Sequence, residues 1–201
     1  MFVAQKRMPP KTDRELVDAA KDGDAEAFGT FMRRHQKRIY RLAAHMLRDA
    51  SEAEDVTQDA FVRAYRALDR FDGRSEPFTW LYRIAVNLCL NTIRSRKVRR
   101  AGPPIDDPRV EGALVETRVT MGSPGTVIAD RQMAQVLSQG LDSLSQTLRT
   151  TLILVTIDGL SHGEAATVLD CPEGTVAWRV HEARKKLQIF MEKHGHPRKA
   201  Q

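Results

Sequence analysis

Trp80, Arg83, Asn87, Asn91 and Arg94 recur at intervals of three and four residues, which puts them along one side of a helix. Together they offer a ring that can stack on a base, amides that can read base edges, and cations for phosphates. Nucleic acid is the ligand that uses this mixture. A purely solvated face is more often Glu and Lys, without Trp or Asn. Phe78, Leu81, Ala85 and Leu88 recur at the same spacings on another side and form an apolar face. Two readings of Trp80 stay open, a stacking ring or a core aromatic. The helix is entered through a polar loop, Arg70 to Pro77, and leaves through Arg94, Arg96, Lys97, Arg99 and Arg100, a run with no acid.

A second constellation lies at residues 160–187, LSHGEAATVLDCPEGTVAWRVHEARKKL. Ser161 can cap a short helix whose core face is Ala165, Ala166 and Leu169. Asp170, Cys171 and Pro172 break it, and Pro172 suits a helix start because no hydrogen-bond donor is needed there. The next helix, about Glu173 to Gln188, turns Val176, Val180, Ala183 and Leu187 inward. Thr175, Ala177, Trp178, Arg179, His181, Arg184 and Lys185 lie wholly or partly outside that stripe. A short helix, a tight turn and a basic second helix make a helix-turn-helix, whose second helix can enter a major groove. An ordinary helical hairpin with a solvated basic face is the plainer reading.

Helical elements must position both sets. Thr12 or Asp13 can cap a helix starting at Arg14. Phe28, Phe31, Met32, Ile39, Leu42, Ala43, Met46 and Leu47 make one apolar stripe. Ser51 is expected to cap the next helix, with Glu54 completing a capping box; Val56, Phe61, Val62, Tyr65 and Leu68 are expected to face inward. After Arg100 the composition turns to Gly and Pro without periodicity, up to about Thr126. That stretch is too long for an ordinary loop inside a compact domain. Helical pattern resumes near Val127 and runs to about Lys193, and no useful strand alternation occurs. The expected fold class is all-α: two small helical domains joined by a flexible linker, the C-terminal one a helix-turn-helix. The expected division is a disordered N-terminus over 1–12, a first domain over 13–100, a linker over 101–126, a second domain over 127–193 and a tail over 194–201.

A chain of 201 residues, 41% of them hydrophobic, supports modest helical cores and not one large core. A net charge of +6 favours phosphate-rich partners. The charge is uneven, because Asp49, Glu52, Glu54, Asp55 and Asp59 crowd one segment. That polarity suggests an acidic surface for a protein partner and a basic one for DNA. Cys89 and Cys171 are far apart, and no CxxC or HExxH spacing occurs. No metal site and no cofactor is expected, and the thiols point to a reducing compartment. The N-terminus MFVAQKRMPPKTD lacks an apolar core, so a cytoplasmic protein is expected.

Both constellations resemble one family, the extracytoplasmic-function (ECF) group of bacterial sigma factors. EAEDVTQDAFVRAYRALDRFDG looks like its region 2.2 and early 2.3; PFTWLYRIAVNLCLNTIRSRKVRR looks like late 2.3 and 2.4; LDSLSQTLRTTLILVTIDGLSHGEAATVLDCPEGTVAWRVHEARKKL looks like region 4. The resemblance implies a promoter-specificity subunit of RNA polymerase. Asp55, Gln58 and Asp59 would meet the clamp helices of the largest subunit, and the second domain would sit near the flap of the second largest. The loop carrying Arg70 and Asp72 would hold a flipped base of the −10 element, beside Trp80, Arg83, Asn87 and Asn91. Arg94, Arg96, Lys97 and Arg100 would hold phosphates. Thr175, Arg179, Arg184 and Lys185 would contact the −35 element, with Ala177, Trp178 and His181 on the same helix. The resemblance further implies an anti-sigma protein as partner and no stable homo-oligomer. One departure stands out: the family commonly has Lys-Ser after GTV, where this chain has Ala177-Trp178. An altered promoter preference, an apolar contact to a thymine methyl and a protein contact all fit that change.

Other classes explain less. A conventional helix-turn-helix repressor or activator accounts for residues 160–187 and leaves the first domain without a task. An enzyme built on Asp55, Asp59 and a metal lacks a second acidic cluster, a His set or a Gly-rich phosphate loop. An anti-sigma or adaptor protein has no need of basic helices in both halves.

Overall fold

The structure, a computed structural model, describes residues 11–100 and 124–195. The disorder expected at the N-terminus (1–10), most of the expected linker (101–123) and most of the tail (196–201) fall outside the described residues. Among the described residues the elements are helical, with no strand.

The N-terminal unit holds α1 (Asp13–Lys21), α2 (Ala25–Leu47), α3 (Ala50–Arg66) and α4 (Pro77–Arg100). Thr12 caps α1, and the Glu15 carboxylate reaches back to accept from the Thr12 amide at 2.6 Å. Asp24 caps α2, accepting from the Ala27 amide at 3.0 Å. The cap of α3 differs from expectation. Asp49, in extended backbone, accepts from the Glu52 amide at 2.9 Å, and Ser51 lies inside the first turn. The chain leaves α2 through Arg48 in left-handed backbone (φ 55°), so helix resumes too soon for Ser51 to act as cap.

Phe31, Ile39, Leu42 and Met46 of α2 pack with Leu81, Tyr82, Ala85, Val86 and Cys89 of α4, all buried. From α3 the small side chains Ala53, Ala60 and Ala64, fully buried, allow close approach of its backbone. The inward set on α3 therefore excludes two expected members. Val62 is 46% exposed and Tyr65 51% exposed, although the Tyr65 ring still meets Phe28 at 5.1 Å. Val62 follows Asp55 by seven residues, two helical turns, and so shares its outward face.

The C-terminal unit holds α5 (Pro124–Ser143), α6 (Gln146–Leu152), α7 (His162–Leu169) and α8 (Glu173–Lys193), with a π-helical turn over Ile153–Ile157 after α6. Helix begins at Pro124, ahead of the expected Val127, and α8 runs past Gln188. Ser161 caps α7 in a capping box with Glu164. Its buried residues are Ala165 and Val168; the expected Ala166 and Leu169 are half-buried beside them. Asp170, in left-handed backbone, ends α7, and Pro172 stands immediately before α8. Val176, Val180 and Ala183 of α8 are buried. Gly140 lets α5 close on α8, since a Cβ there would lie 2.6 Å from Leu187 Cδ1.

The two units meet where α7 packs on α4 and along a seam of arginines. Arg38 donates to the Asp158 carbonyl at 2.8 Å, Arg149 to the Met46 carbonyl at 2.8 Å, and Arg48 to the Ser138 carbonyl at 3.1 Å. Asp142 pairs with both Arg48 and Arg149.

Arg96 turns back into the first unit. It donates to Glu52 Oε1 at 2.8 Å and to the Leu47 carbonyl at 2.9 Å, tying α4 to the α2–α3 corner. Removing these charge-assisted bonds affects stability by about 1.5–3 kcal/mol. Arg96→Ala is expected to lower the urea midpoint of the full chain accordingly. Arg94→Ala, at an exposed position paired with Asn91, is expected to stay within about 0.5 kcal/mol. Equal midpoints for the two variants would contradict the assignment.

Candidate nucleic-acid interface

The loop before α4 is built from a distance. Lys21 donates to the Phe71 carbonyl at 2.9 Å, and Arg14 donates to the Gly73 carbonyl at 3.0 Å. The Arg14 guanidinium also stands 5.8 Å from the Phe71 ring centre. Gly73 has φ +72°, backbone that favours glycine. Asp72 accepts from the Arg74 amide at 3.0 Å and closes the turn. Arg14 and Lys21 were not foreseen from the sequence: each lies 50 or more positions from its partner, and no local pattern announces such a contact.

The anchored loop and the start of α4 enclose an open cavity of about 280 Å³. Arg70, Asp72, Arg74, Trp80 and Arg83 line it, with Phe71 behind. Trp80 packs on the core side and also borders the cavity. Its ring packs on Phe71 at 5.0 Å between centres, and it is half-buried while bordering the cavity. The cavity thus combines aromatic wall, carboxylate acceptor and guanidinium donors, a set suited to stacking and hydrogen-bonding one unpaired base.

From the cavity, Arg83, Asn87, Asn91 and Arg94 run outward along α4, all exposed. Lys97 continues the exposed row. Arg96 does not, because its guanidinium is held by Glu52 and the Leu47 carbonyl, and a phosphate would have to displace both. Arg100 ends α4 and its side chain lies outside the described residues. On α3, Asp55, Gln58 and Asp59 are exposed together, and Val62 adds an apolar element to that face.

On α8, Trp178, His181, Arg184 and Lys185 are exposed, and Thr175, Ala177 and Arg179 are half-exposed. Arg179 leans toward the turn, with Nη1 3.5 Å from Cys171 Sγ. Cys89 is buried in α4, and burial pushes its thiol up to about 12. Among the described residues no cluster of His, Cys, Asp or Glu could hold a metal ion, and no helix is long and apolar enough to cross a membrane.

The second unit partly covers this interface. Thr167 of α7 borders the cavity, and Asp170 lies 3.6 Å from Arg83. Deeper in the seam, the Arg38 guanidinium lies 4.2 Å from the Phe78 ring centre, between α2 and α4. Asp158 Oδ2 is buried there without a hydrogen-bond partner among the described residues. Burial pushes the Asp158 carboxyl up to about 6, with Arg38 and Arg41 opposing.

The first all-α unit thus carries the cavity beside an exposed polar and basic row, and the second carries a short helix, a tight turn and a basic helix. Residues 31–99 match the family described as Sigma-70 region 2, and residues 134–187 match Sigma-70, region 4. The ECF RNA polymerase sigma-E factor of Escherichia coli (strain K12) is 35% identical over 181 residues, 88% of this chain and 92% of that protein. The RNA polymerase sigma-H factor of Pseudomonas aeruginosa is 37% identical over 179 residues, 87% and 91% of the two chains. Among solved structures, CnrH in complex with the cytosolic domain of CnrY is similar, with a TM-score of 0.65 and 28% identity over 91% of this chain and 99% of that one. The chain belongs to the ECF group of RNA polymerase sigma factors.

The seam carboxylate sets a pH dependence. A carboxyl raised in the packed state holds its proton more tightly there. Its contribution to packing is present below the ordinary carboxylate value of 3.8 and is lost as pH rises through about 6. Asp158→Asn, which keeps the shape without the charge, is expected to raise the melting temperature at pH 7 by roughly 2–6 °C. The gap from the parent chain should close toward pH 4. A gap of the same size at both pH values would contradict this role for Asp158.

Proposed function

We propose that this sigma factor engages core RNA polymerase through α3 and takes promoter DNA on α4 and α8. The observation that carries the reading is the cavity between the Arg70–Pro77 loop and Trp80, opening directly onto the exposed Arg83, Asn87, Asn91 and Arg94 row. A flipped base of the −10 non-template strand fits such a cavity, and its stacking and hydrogen bonds offset the few kcal/mol lost on unpairing. The neighbouring amides read further bases, while Arg94, Lys97 and Arg100 meet phosphates. Helix α8 enters the major groove of the −35 element, with Thr175, Trp178, His181, Arg184 and Lys185 facing the duplex and Ala177 and Arg179 at its edge. The division between a promoter-melting domain over 13–100 and a −35 domain over 127–193 follows from these roles.

Asp55, Gln58, Asp59 and Val62 form the docking face for the clamp helices of the largest polymerase subunit, and the second unit sits near the flap of the second largest. The chain is no enzyme, since the polymerase carries the chemistry. It works in the cytoplasm, without a cofactor and without a stable homo-oligomer, in response to an envelope or external signal. The similar CnrH structure contains the cytosolic domain of CnrY, and a comparable anti-sigma protein is the regulatory partner proposed here. Because Thr167 borders the cavity and Asp170 faces Arg83, the two units separate when promoter DNA enters.

In vitro transcription with core polymerase over a pool of bacterial promoters tests the reading. New specific transcripts that require the protein are expected. Duplex binding by the protein alone, with neither core binding nor transcripts, would replace this reading with a conventional repressor or activator. Asp55→Arg is expected to weaken core binding in a pull-down by roughly tenfold or more, as a like-charge or mismatched contact does at a docking face, with the melting temperature retained. Gln58→Ala should act in the same direction and less strongly. Unchanged affinity in both would remove this face from the interface.

A further inference from the structure

Helix α8 is organised around one axis. Val176, Val180 and Ala183 are buried, and Gly174, Trp178, His181 and Lys185, at intervals of four, three and four, lie on the opposite side. Trp178 sits near the middle of that side and is 61% exposed, unusual for so large an apolar ring. It has no stacking partner among the described aromatic residues. One turn before it, Gly174 leaves the backbone bare. A Cβ there would meet nothing within 4 Å, so no side chain, the indole included, covers that position. About two turns further along α8, Arg184 and Lys185 are exposed, and Lys186 pairs with Glu182 at 3.5 Å. An apolar projection on the outward, early part of a recognition helix, followed by cations, matches a major groove whose floor offers apolar groups and whose edge offers phosphates. The apolar group that a major groove offers is the C5-methyl of thymine.

We propose that Trp178 is a specificity-determining residue that reads thymine C5-methyl groups in the −35 duplex. The inference rests on the proposed docking of α8 and names the base chemistry it reads. Gly174 gives the groove edge room to approach, and Arg184 and Lys185 hold the backbone in register without sequence preference. The indole supplies contact area that Ala177 beside it cannot.

Promoters recovered with the holoenzyme are the substrate for the test. Each thymine of the −35 element is replaced in turn by deoxyuridine, which removes the methyl and leaves every hydrogen-bonding group in place. Holoenzyme made with the parent chain should lose about fourfold in initiation at one or two positions, the effect of one buried methyl. Holoenzyme carrying Trp178→Ala should start from lower activity on thymine templates and show no further loss with deoxyuridine. The side chain is exposed, so the variant should keep the parent melting temperature, and Trp178→Phe should restore part of the discrimination. Parent holoenzyme indifferent to every replacement overturns the proposal, as does equal deoxyuridine sensitivity in parent and Trp178→Ala. Loss of core-polymerase affinity in Trp178→Ala, with a uniform activity loss on all templates, assigns the ring to a protein contact and overturns it too. Absence of any transcript with the parent chain defeats the sigma reading itself, an outcome distinct from active but methyl-blind transcription.

Discussion

The burial of one half of α4 is the constraint on which the rest of the structure depends. Leu81, Tyr82, Ala85, Val86, Leu88 and Cys89 are all buried where the first three helices, and α7 of the second unit, pack on α4. A helix gripped over that arc has a fixed rotation. Arg83, Asn87, Asn91 and Arg94 are therefore exposed in one row, and Trp80 is fixed at the row's head against Phe71. Core packing and DNA-facing geometry are in this sense one property. The exposed cations crowd toward the C-terminal end of α4, where the helix dipole favours positive charge. Their mutual repulsion is offset there in part, and an incoming phosphate relieves the remainder.

The seam between the units follows different physics. Beside the packing of α7 on α4, it is held by guanidinium groups reaching carbonyls and part-exposed carboxylates, as in Arg149 to the Met46 carbonyl and Arg48 to Asp142. The part-exposed Arg48–Asp142 pair contributes about 0–1 kcal/mol, and the more buried Arg149 bond to the Met46 carbonyl, being charge-assisted, contributes about 1.5–3 kcal/mol. Asp158 works against closure, because its Oδ2 is buried without a partner among the described residues and its carboxyl resists ionisation. Such an interface brings two units together without committing them to that arrangement, as is usual for domains within one chain.

Periodicity made the local features legible and left the long-range ones hidden. The row on α4, the α2 stripe, the Ser161 cap and the order of short helix, turn and basic helix all repeat within a few residues, so the sequence displays them directly. Arg96 sits in a run that reads as uniformly basic, and only the fold brings Glu52 and the Leu47 carbonyl to it. Arg14 and Lys21 shape the cavity loop through contacts that no spacing encodes. The placing of Val62 in the core came from its apolar type, although its seven-residue offset from Asp55 already put it on the acidic face. Ser51 was favoured as a cap by its Glu54 partner, but Asp49 is the residue whose backbone is extended where α3 starts.

The weakness of the seam bears on how two small sites can specify a promoter. A single recognition helix or a single base cavity binds DNA weakly, and joining them raises avidity by roughly 10²–10⁴ through effective concentration. That gain corresponds to about 3–5.5 kcal/mol. Closure must contribute less than this, or the units would stay together and Asp170 and Thr167 would keep their places beside Arg83 and the cavity. The guanidinium contacts and the packing of α7 on α4 must together stay below that limit, and the buried Asp158 carboxyl lowers their sum. A carboxyl buried at the seam thus favours bipartite recognition, because it lets a free chain be compact and still surrender its closed form to DNA.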